Sequence, residues 1–248
     1  MRYFFYISYK GTNYHGWQVQ PNANTVQNEV NKALATILQA NIDTIGSGRT
    51  DSGVHAKEQV FHCDISKDIP EETLLQKMNG LLPKDIVVNK VLVVGMATHA
   101  RFDATSRSYE YHIHFKKSPF GVNESYFLPN KPDFDKMNEA CKILVGEHDF
   151  TSFSKVKTEV NNFFCDLQRA EWQFDDEKAV FYVTANRFLR GMVRALVGTL
   201  LQVGYGKTSL KEFTEIKKAK DRTVAGQSVP PQGLYLCAVR YPSEVFIK

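Results

Sequence analysis

An aspartate crowded by small and basic residues is the feature of this 248-residue chain best suited to chemistry: Gly46-Ser47-Gly48-Arg49-Thr50-Asp51-Ser52-Gly53-Val54-His55-Ala56. A carboxylate can serve as a nucleophile, as a general base, or as half of a proton-sharing dyad. The triplet Asp51-Ser52-Gly53 suits a dyad only if a second such triplet exists, and the chain has one. Arg49 would also depress the raised pKa that a dyad needs. Gly48 and Gly53 have the outer spacing of a phosphate-binding loop, but Val54 stands where a lysine is required, and a strand pattern follows instead of a helix. A glycine-rich stretch with Asp and Ser is otherwise an ordinary turn. A turn alone leaves unexplained the crowding of Arg49, Thr50, Asp51 and His55. It also leaves unexplained four clusters downstream: RFDATSRSYEYHI from Arg101, HDFTSF from His148, RFLRGMVRALVG from Arg187 and PPQGLYL from Pro230.

Composition narrows the partners. Hydrophobic residues make up 43% and charged residues 23%, an ordinary globular balance. The start, MRYFFYISYKG, has no charged head followed by a long apolar run, and no stretch reaches the roughly 20 apolar residues that cross a bilayer. A cytoplasmic protein without membrane attachment is expected. Cys63, Cys141, Cys165 and Cys237 are scattered, so they are expected to be reduced and buried as small hydrophobes. His55 with His62 and Cys63, or His112 with His114, match no zinc template, so no metal is expected. Net charge is only +4, but basic residues cluster at Lys116-Lys117, at Lys155 with Lys157, at Arg187, Arg190 and Arg194, and from Lys211 to Arg222. Four such clusters with aromatics between them point to a polyanionic partner.

The elements that must position these residues can be read from periodicity. Tyr3, Phe5, Ile7 and Tyr9 alternate with Phe4, Tyr6 and Ser8, which suits a strand covered on both faces. Val26, Val30, Ala33, Leu34, Ile37 and Leu38 make an amphipathic helix over 25–38. A short strand near 41–47, a strand over 59–65, a helix over 71–80 and a strand over 85–94 follow. Residues 106–115 alternate strongly, with Tyr109, Tyr111, Ile113 and Phe115 on one face. The turn-rich SPFGVNESYFLPNKP reads as a connection between halves. Asp133 reads as the N-cap of a helix carrying Phe134, Met137, Ala140, Cys141, Leu144 and Val145. Strands over 163–174 and 179–185, helices over 187–203 and 209–219, and a last strand over 234–241 complete the chain. Strands and helices do not alternate regularly. The expected class is therefore α+β with mainly antiparallel sheets, in two halves of similar content, 1–104 and 105–248.

Taken together, the segments resemble the TruA family of tRNA pseudouridine synthases. GRTDSGVHA is similar to the family's aspartate motif, and HARFDATSRSYEYHI, GEHDFTSF, FLRGMVRALVG and PPQGLYL resemble further signatures in the same order. The likeness runs from Tyr9-Lys10-Gly11-Thr12 and Gly16-Trp17-Gln18 to Leu236. It implies a pseudouridine synthase fold whose halves flank a central active-site cleft, and isomerisation of uridine at positions 38 to 40 of the tRNA anticodon arm. It further implies no cofactor, a tRNA anticodon stem-loop as partner, and a homodimer. Asp51 would be the catalytic carboxylate, as nucleophile or as base; the sequence leaves both routes open. Arg194 would keep Asp51 ionised. Tyr109 would stack on the target uracil or aid proton transfer, and Arg49 would fill the gap left when the base is extruded. His55, Arg101, Phe102, Arg107 and Phe188 could line or support the cleft, with core packing the expected fate of the aromatics. Tyr111, Leu189, Met192, Val193, Leu196 and Val197 read as packing residues.

Overall fold

The structure is a computed structural model that describes residues 1–156 and 161–246. It is α+β with mostly antiparallel strand pairing, as expected. The chain forms two compact units, Met1–Ser106 with Tyr235–Lys248, and Arg107–Leu234.

The first unit begins with β1 (Arg2–Tyr9), followed by α1 (Val26–Leu38), β2 (Ile45–Gly46), β3 (His55–Asp64), α2 (Glu71–Leu81) and β4 (Ile86–Val94). β1 lies between β4 and β3 and is antiparallel to both, with Phe5 opposite Phe61 on one side and Val91 on the other. Burial follows the alternation: Tyr3, Phe5, Ile7 and Tyr9 are buried, and the Phe5 ring stacks on Phe61 at 4.7 Å. Phe4 is buried on the opposite face against the Tyr241 ring, so β1 is covered on both sides. Thr25 caps α1 by accepting a hydrogen bond from the Asn28 backbone N–H, and the helix buries Val26, Val30, Ala33, Leu34 and Leu38. β3 starts at His55, four residues earlier than its apolar alternation predicts. Ladder hydrogen bonds, and no hydrophobic signal, set that boundary.

The second unit contains β5 (Ser106–His114), β6 (Tyr126–Phe127), α3 (Phe134–Lys142), β7 (Gly146–Asp149), β8 (Phe164–Phe174), β9 (Lys178–Ala185), α4 (Met192–Gly204) and α5 (Leu210–Lys218). β5, β9, β8 and β7 lie in that order, all antiparallel, and β6 adds to β5 in parallel. Asp133 caps α3 as predicted, and Ser209 with Glu212 forms a capping box on α5. Phe134, Trp172 and Phe181 form a continuous aromatic core.

Three expectations need correction. The helix expected over 187–203 starts only at Met192, because Gly191 takes a left-handed conformation at φ 71° and leaves 187–191 irregular. The stretch 118–132 does not join two halves. It lies inside the second unit, where Tyr126 and Phe127 pair with β5. The last strand, β10 (Leu234–Arg240), runs parallel to β3 with Tyr235 opposite His55, so Tyr235–Lys248 is counted with the first unit. Hydrogen bonds from the Val239 N–H to Glu58, from Tyr241 Oη to the Ala100 carbonyl, and from the Thr105 N–H to the Arg240 carbonyl secure it there.

Cys63, Cys141 and Cys165 are buried and all four cysteines are free, but Cys237 is only half-buried. Burial pushes the Cys63 thiol up to about 12 and the Cys165 thiol up to about 11, so neither is a thiolate near neutrality. No described helix is long and apolar enough to cross a membrane.

Candidate active site

The Asp51 loop hangs between β2 and β3 and is clamped on both flanks. On the upstream side the buried Gln59 side chain donates from Nε2 to the Gly48 carbonyl at 2.9 Å and accepts from Ser47 Oγ at 3.1 Å. Thr50 Oγ1 shares a 2.8 Å hydrogen bond with Tyr9 Oη in the interior, and its carbonyl accepts from the Trp17 backbone N–H. On the downstream side the Gly53 N–H and Ser52 Oγ both donate to the Tyr14 carbonyl, and the Gly11 N–H donates to His55 Nδ1 at 3.0 Å. Each bond ties a loop group to a strand or to 11–17, which is how an irregular segment is held in one conformation.

Contact between the two segments is close enough to demand glycine. Gly16 has φ +88°, and a Cβ there would lie 2.3 Å from the Thr50 carbonyl oxygen. The sequence signatures around Gly11–Trp17 and Arg49–His55 are therefore the two sides of one structure. The Tyr14 hydroxyl donates to Asp85 at 2.5 Å, and burial followed by that carboxylate drives its pKa well above the ordinary phenol value. Within this frame Asp51 is half-buried and Arg49 exposed. His55 is buried, stacked on Tyr235 at 4.6 Å.

In the second unit, Tyr109 lies on β5 opposite Val183, half-buried, with its ring edge-on to Phe188 at 5.0 Å. Tyr111 is buried as expected, and its hydroxyl donates to the Pro230 carbonyl at 2.8 Å. Arg194 is half-buried on the first turn of α4, where its Nε donates to the Val229 carbonyl at 2.7 Å and its own carbonyl accepts from the Val229 N–H. An extended strap around 225–233 thus lies along α4. Its closest approach is at Gly198, where a Cβ would come within 1.9 Å of the Gln227 carbonyl oxygen. The Gly226 N–H adds a bond to Thr199 Oγ1 at 2.9 Å. The helical part of FLRGMVRALVG thus packs against 226–229, the segment that leads into PPQGLYL. Leu189, Met192, Val193, Leu196 and Val197 are all buried.

Of the residues nominated from sequence, Asp51 and Arg49 share one loop of the first unit, while Tyr109 and Arg194 are carried by β5 and α4 of the second. Phe188 packs on Tyr109, but Phe102 is 73% exposed and does not join a core; the turn that carries it points it outward. The bracing residues Tyr9, Tyr14, Thr50 and Gln59 carry no catalytic signal in the sequence; Gln59 is a polar position inside an apolar alternation, and its complete burial marks it. His112 pairs with Glu110, and His114 with Ser125. The basic clusters are partly engaged within the protein. Lys116 pairs with Glu177, Lys218 with Glu215 and Lys220 with Asp149, and Arg222 donates to Ser228. Lys157 lies outside the described residues.

The sequence matches the family described as tRNA pseudouridine synthase over residues 6–103 and 140–242. It is 48% identical to a tRNA pseudouridine synthase A of Parabacteroides distasonis, over 99% of this chain and 98% of that one. It is 49% identical to the enzyme of that name from Bacteroides fragilis, over 99% and 98%. For the Bacillus subtilis enzyme of that name the identity is 41%, over 95% and 97%. Among solved structures, a Cbf5-Nop10-Gar1 complex matches with a TM-score of 0.35 and 11% identity, over 80% of this chain and 54% of that one.

Proposed function

The chain belongs to the TruA family of tRNA pseudouridine synthases, isomerases that convert uridine to pseudouridine in tRNA, and we propose that it acts at positions 38 to 40 of the anticodon arm with Asp51 as catalytic carboxylate. The observation that carries the assignment to Asp51 is the double clamp. Two signatures far apart in sequence close around the loop that carries half-buried Asp51, and little of that bracing is needed for a simple turn. The isomerisation breaks the bond from ribose C1′ to uracil N1, turns the base, and forms a bond from C1′ to C5; the C5 hydrogen leaves as a proton and N1 takes one up. Atoms and electrons balance without a redox partner, so the reaction calls for no cofactor.

In this reading Asp51 attacks the sugar or removes a sugar proton, and either role needs the ionised carboxylate. Arg194 supplies the cation that keeps it ionised, its guanidinium already oriented through the Val229 carbonyl. Tyr109 stacks on the uracil, steadied edge-on by Phe188. Arg49, exposed beside Asp51, occupies the space that the extruded nucleotide vacates and offsets part of the few kcal/mol of unstacking. Basic side chains bind RNA phosphates, so affinity for tRNA falls steeply with salt. A homodimer acting in the cytoplasm completes the proposal, because two copies double the modest basic charge offered to one tRNA.

The test is an unmodified tRNA transcript labelled with tritium at uridine C5. Wild-type protein should release tritium, and Asp51→Ala should lower release by about 10²- to 10⁴-fold while keeping most tRNA affinity. Turnover retained by that variant would overturn the role of Asp51.

A further inference from the structure

Phe102 is 73% exposed, yet the turn that carries it is closely hydrogen-bonded. The His99 Nδ1 accepts hydrogen bonds from the backbone N–H of both Arg101 (3.1 Å) and Phe102 (3.3 Å). Asp103 closes the turn by accepting from the His99 N–H at 2.8 Å and donating its own N–H to the His99 carbonyl. The turn is also anchored to the body of the unit. The Ala100 N–H donates to His62 Nδ1 at 3.1 Å, Tyr241 Oη donates to the Ala100 carbonyl at 2.6 Å, and Arg2 donates to the Thr98 carbonyl.

The rings form a column that starts in the core and ends in solvent. Phe4 stacks on His62 at 6.1 Å, His62 meets His99 edge-on at 4.8 Å, and His99 lies against Phe102 at 4.3 Å. The Arg101 guanidinium carbon sits 5.6 Å from the Phe102 ring centroid. Most of the ring surface stays open despite both neighbours. An exposed phenylalanine held by this many fixed contacts gains nothing for the core. A rigid aromatic face beside a guanidinium is the arrangement that stacks a nucleobase and holds its phosphate.

We infer that Phe102 and Arg101 form a stacking platform for one unpaired RNA base other than the uridine that reacts. This rests on the tRNA substrate proposed above. The platform lies beside His62, seven residues beyond His55 along β3, and seven strand residues span roughly 23 Å. A base on Phe102 is thus well removed from the Asp51 end of the strand, so the platform tightens substrate binding without touching the reacting atoms.

The experiment uses full-length Phe102→Ala and Phe102→Trp. Phe102→Ala should raise KM for the tRNA transcript about 10-fold, the loss of one base stack, with kcat, melting temperature and oligomeric state as in wild type. Phe102→Trp should keep the wild-type KM. The two native tryptophans, Trp17 and Trp172, are buried, so acrylamide-accessible fluorescence in Phe102→Trp reports the introduced indole alone. That fluorescence should be quenched by a short single-stranded RNA and not by a blunt RNA duplex of equal length. An unchanged KM in Phe102→Ala, equal quenching by the duplex, or a shift in oligomeric state that marks the ring as a protein contact would overturn the platform. Quenching needs no turnover. Failure of tritium release by wild type would therefore sink the proposed reaction while the single-strand arm still judges the platform.

Discussion

The two units hold their nominated residues in opposite ways. In the first, Asp51 and Arg49 sit on a loop with no regular structure of its own, and rigidity comes from outside it, through Gln59, Tyr9, Tyr14 and the backbone of 11–17. In the second, Tyr109 and Arg194 ride on a strand and a helix, whose backbone hydrogen bonds already fix the main chain; Phe188 adds to the first and the strap around 225–233 to the second. A loop can aim a side chain where no regular element would. Its geometry then depends on a handful of side-chain hydrogen bonds and two tight glycine contacts, Gly16 against Thr50 and Gly11 against Val54. Damage near Asp51 should therefore cost turnover more than stability, and damage to the strap the reverse.

The sharpest way to break this contrast is a pair of glycine substitutions. Gly16→Ala must place a methyl group 2.3 Å from the Thr50 carbonyl at a left-handed φ, so the backbone leading into Asp51 has to move. A misplacement of about 1 Å can cost about 10²-fold in rate, and that loss is expected in kcat. Gly198→Ala meets the Gln227 carbonyl at 1.9 Å from a helical backbone, so overpacking should destabilise the protein by about 1–3 kcal/mol with a smaller loss of kcat. Thermal melting and tritium release measured side by side decide the matter. Equal kcat losses would erase the distinction.

Acid should separate the units next. Burial, with Arg2 and then His99 beside it, pulls the His62 imidazole down from 6.5 to about 4. Between those values the unfolded chain takes up a proton that the folded chain refuses. Stability is therefore full above about pH 6.5 and declines as the pH falls towards 4. His62 Nδ1 must also stay unprotonated to accept the Ala100 N–H. The hydrogen-exchange protection factor at Ala100 should fall over this window, before that of the β8–β9 ladder of the second unit does. Simultaneous loosening would contradict it.

The mildest probe is Thr50→Val, which keeps the shape and removes the hydrogen bond to Tyr9. It takes one hydrogen-bond partner from the buried Tyr9 hydroxyl, at a cost of about 0.5–1.5 kcal/mol. If the clamp matters, kcat should fall about 5- to 10-fold, because 1–1.4 kcal/mol of positioning converts to that factor, and KM should hold. A change in KM alone would show that Thr50 serves binding.

Much of this was legible locally. The 3.6-residue period of α1, the alternation of β1 and β5, and the cap Asp133 are each set by residues within a turn or two of one another. The Asp51 motif could be singled out for the same reason, since its reactive types are adjacent. Some elements lacked any such signal. β6 is two residues long and exists only because β5 offers it a partner. β7 is polar throughout and is made a strand by its ladder to β8.

The sequence by itself therefore determined the α+β class, most helices and long strands, and the family, because these depend on periodicity, capping and motif order along the chain. Only the tertiary structure decided that β10 returns to pair with β3. It alone showed that the Gly11–Trp17 segment clamps the Asp51 loop, and that Phe102 ends a ring column facing solvent. Those outcomes rest on backbone hydrogen bonds and close packing between residues far apart in the chain, which no local pattern of side chains encodes.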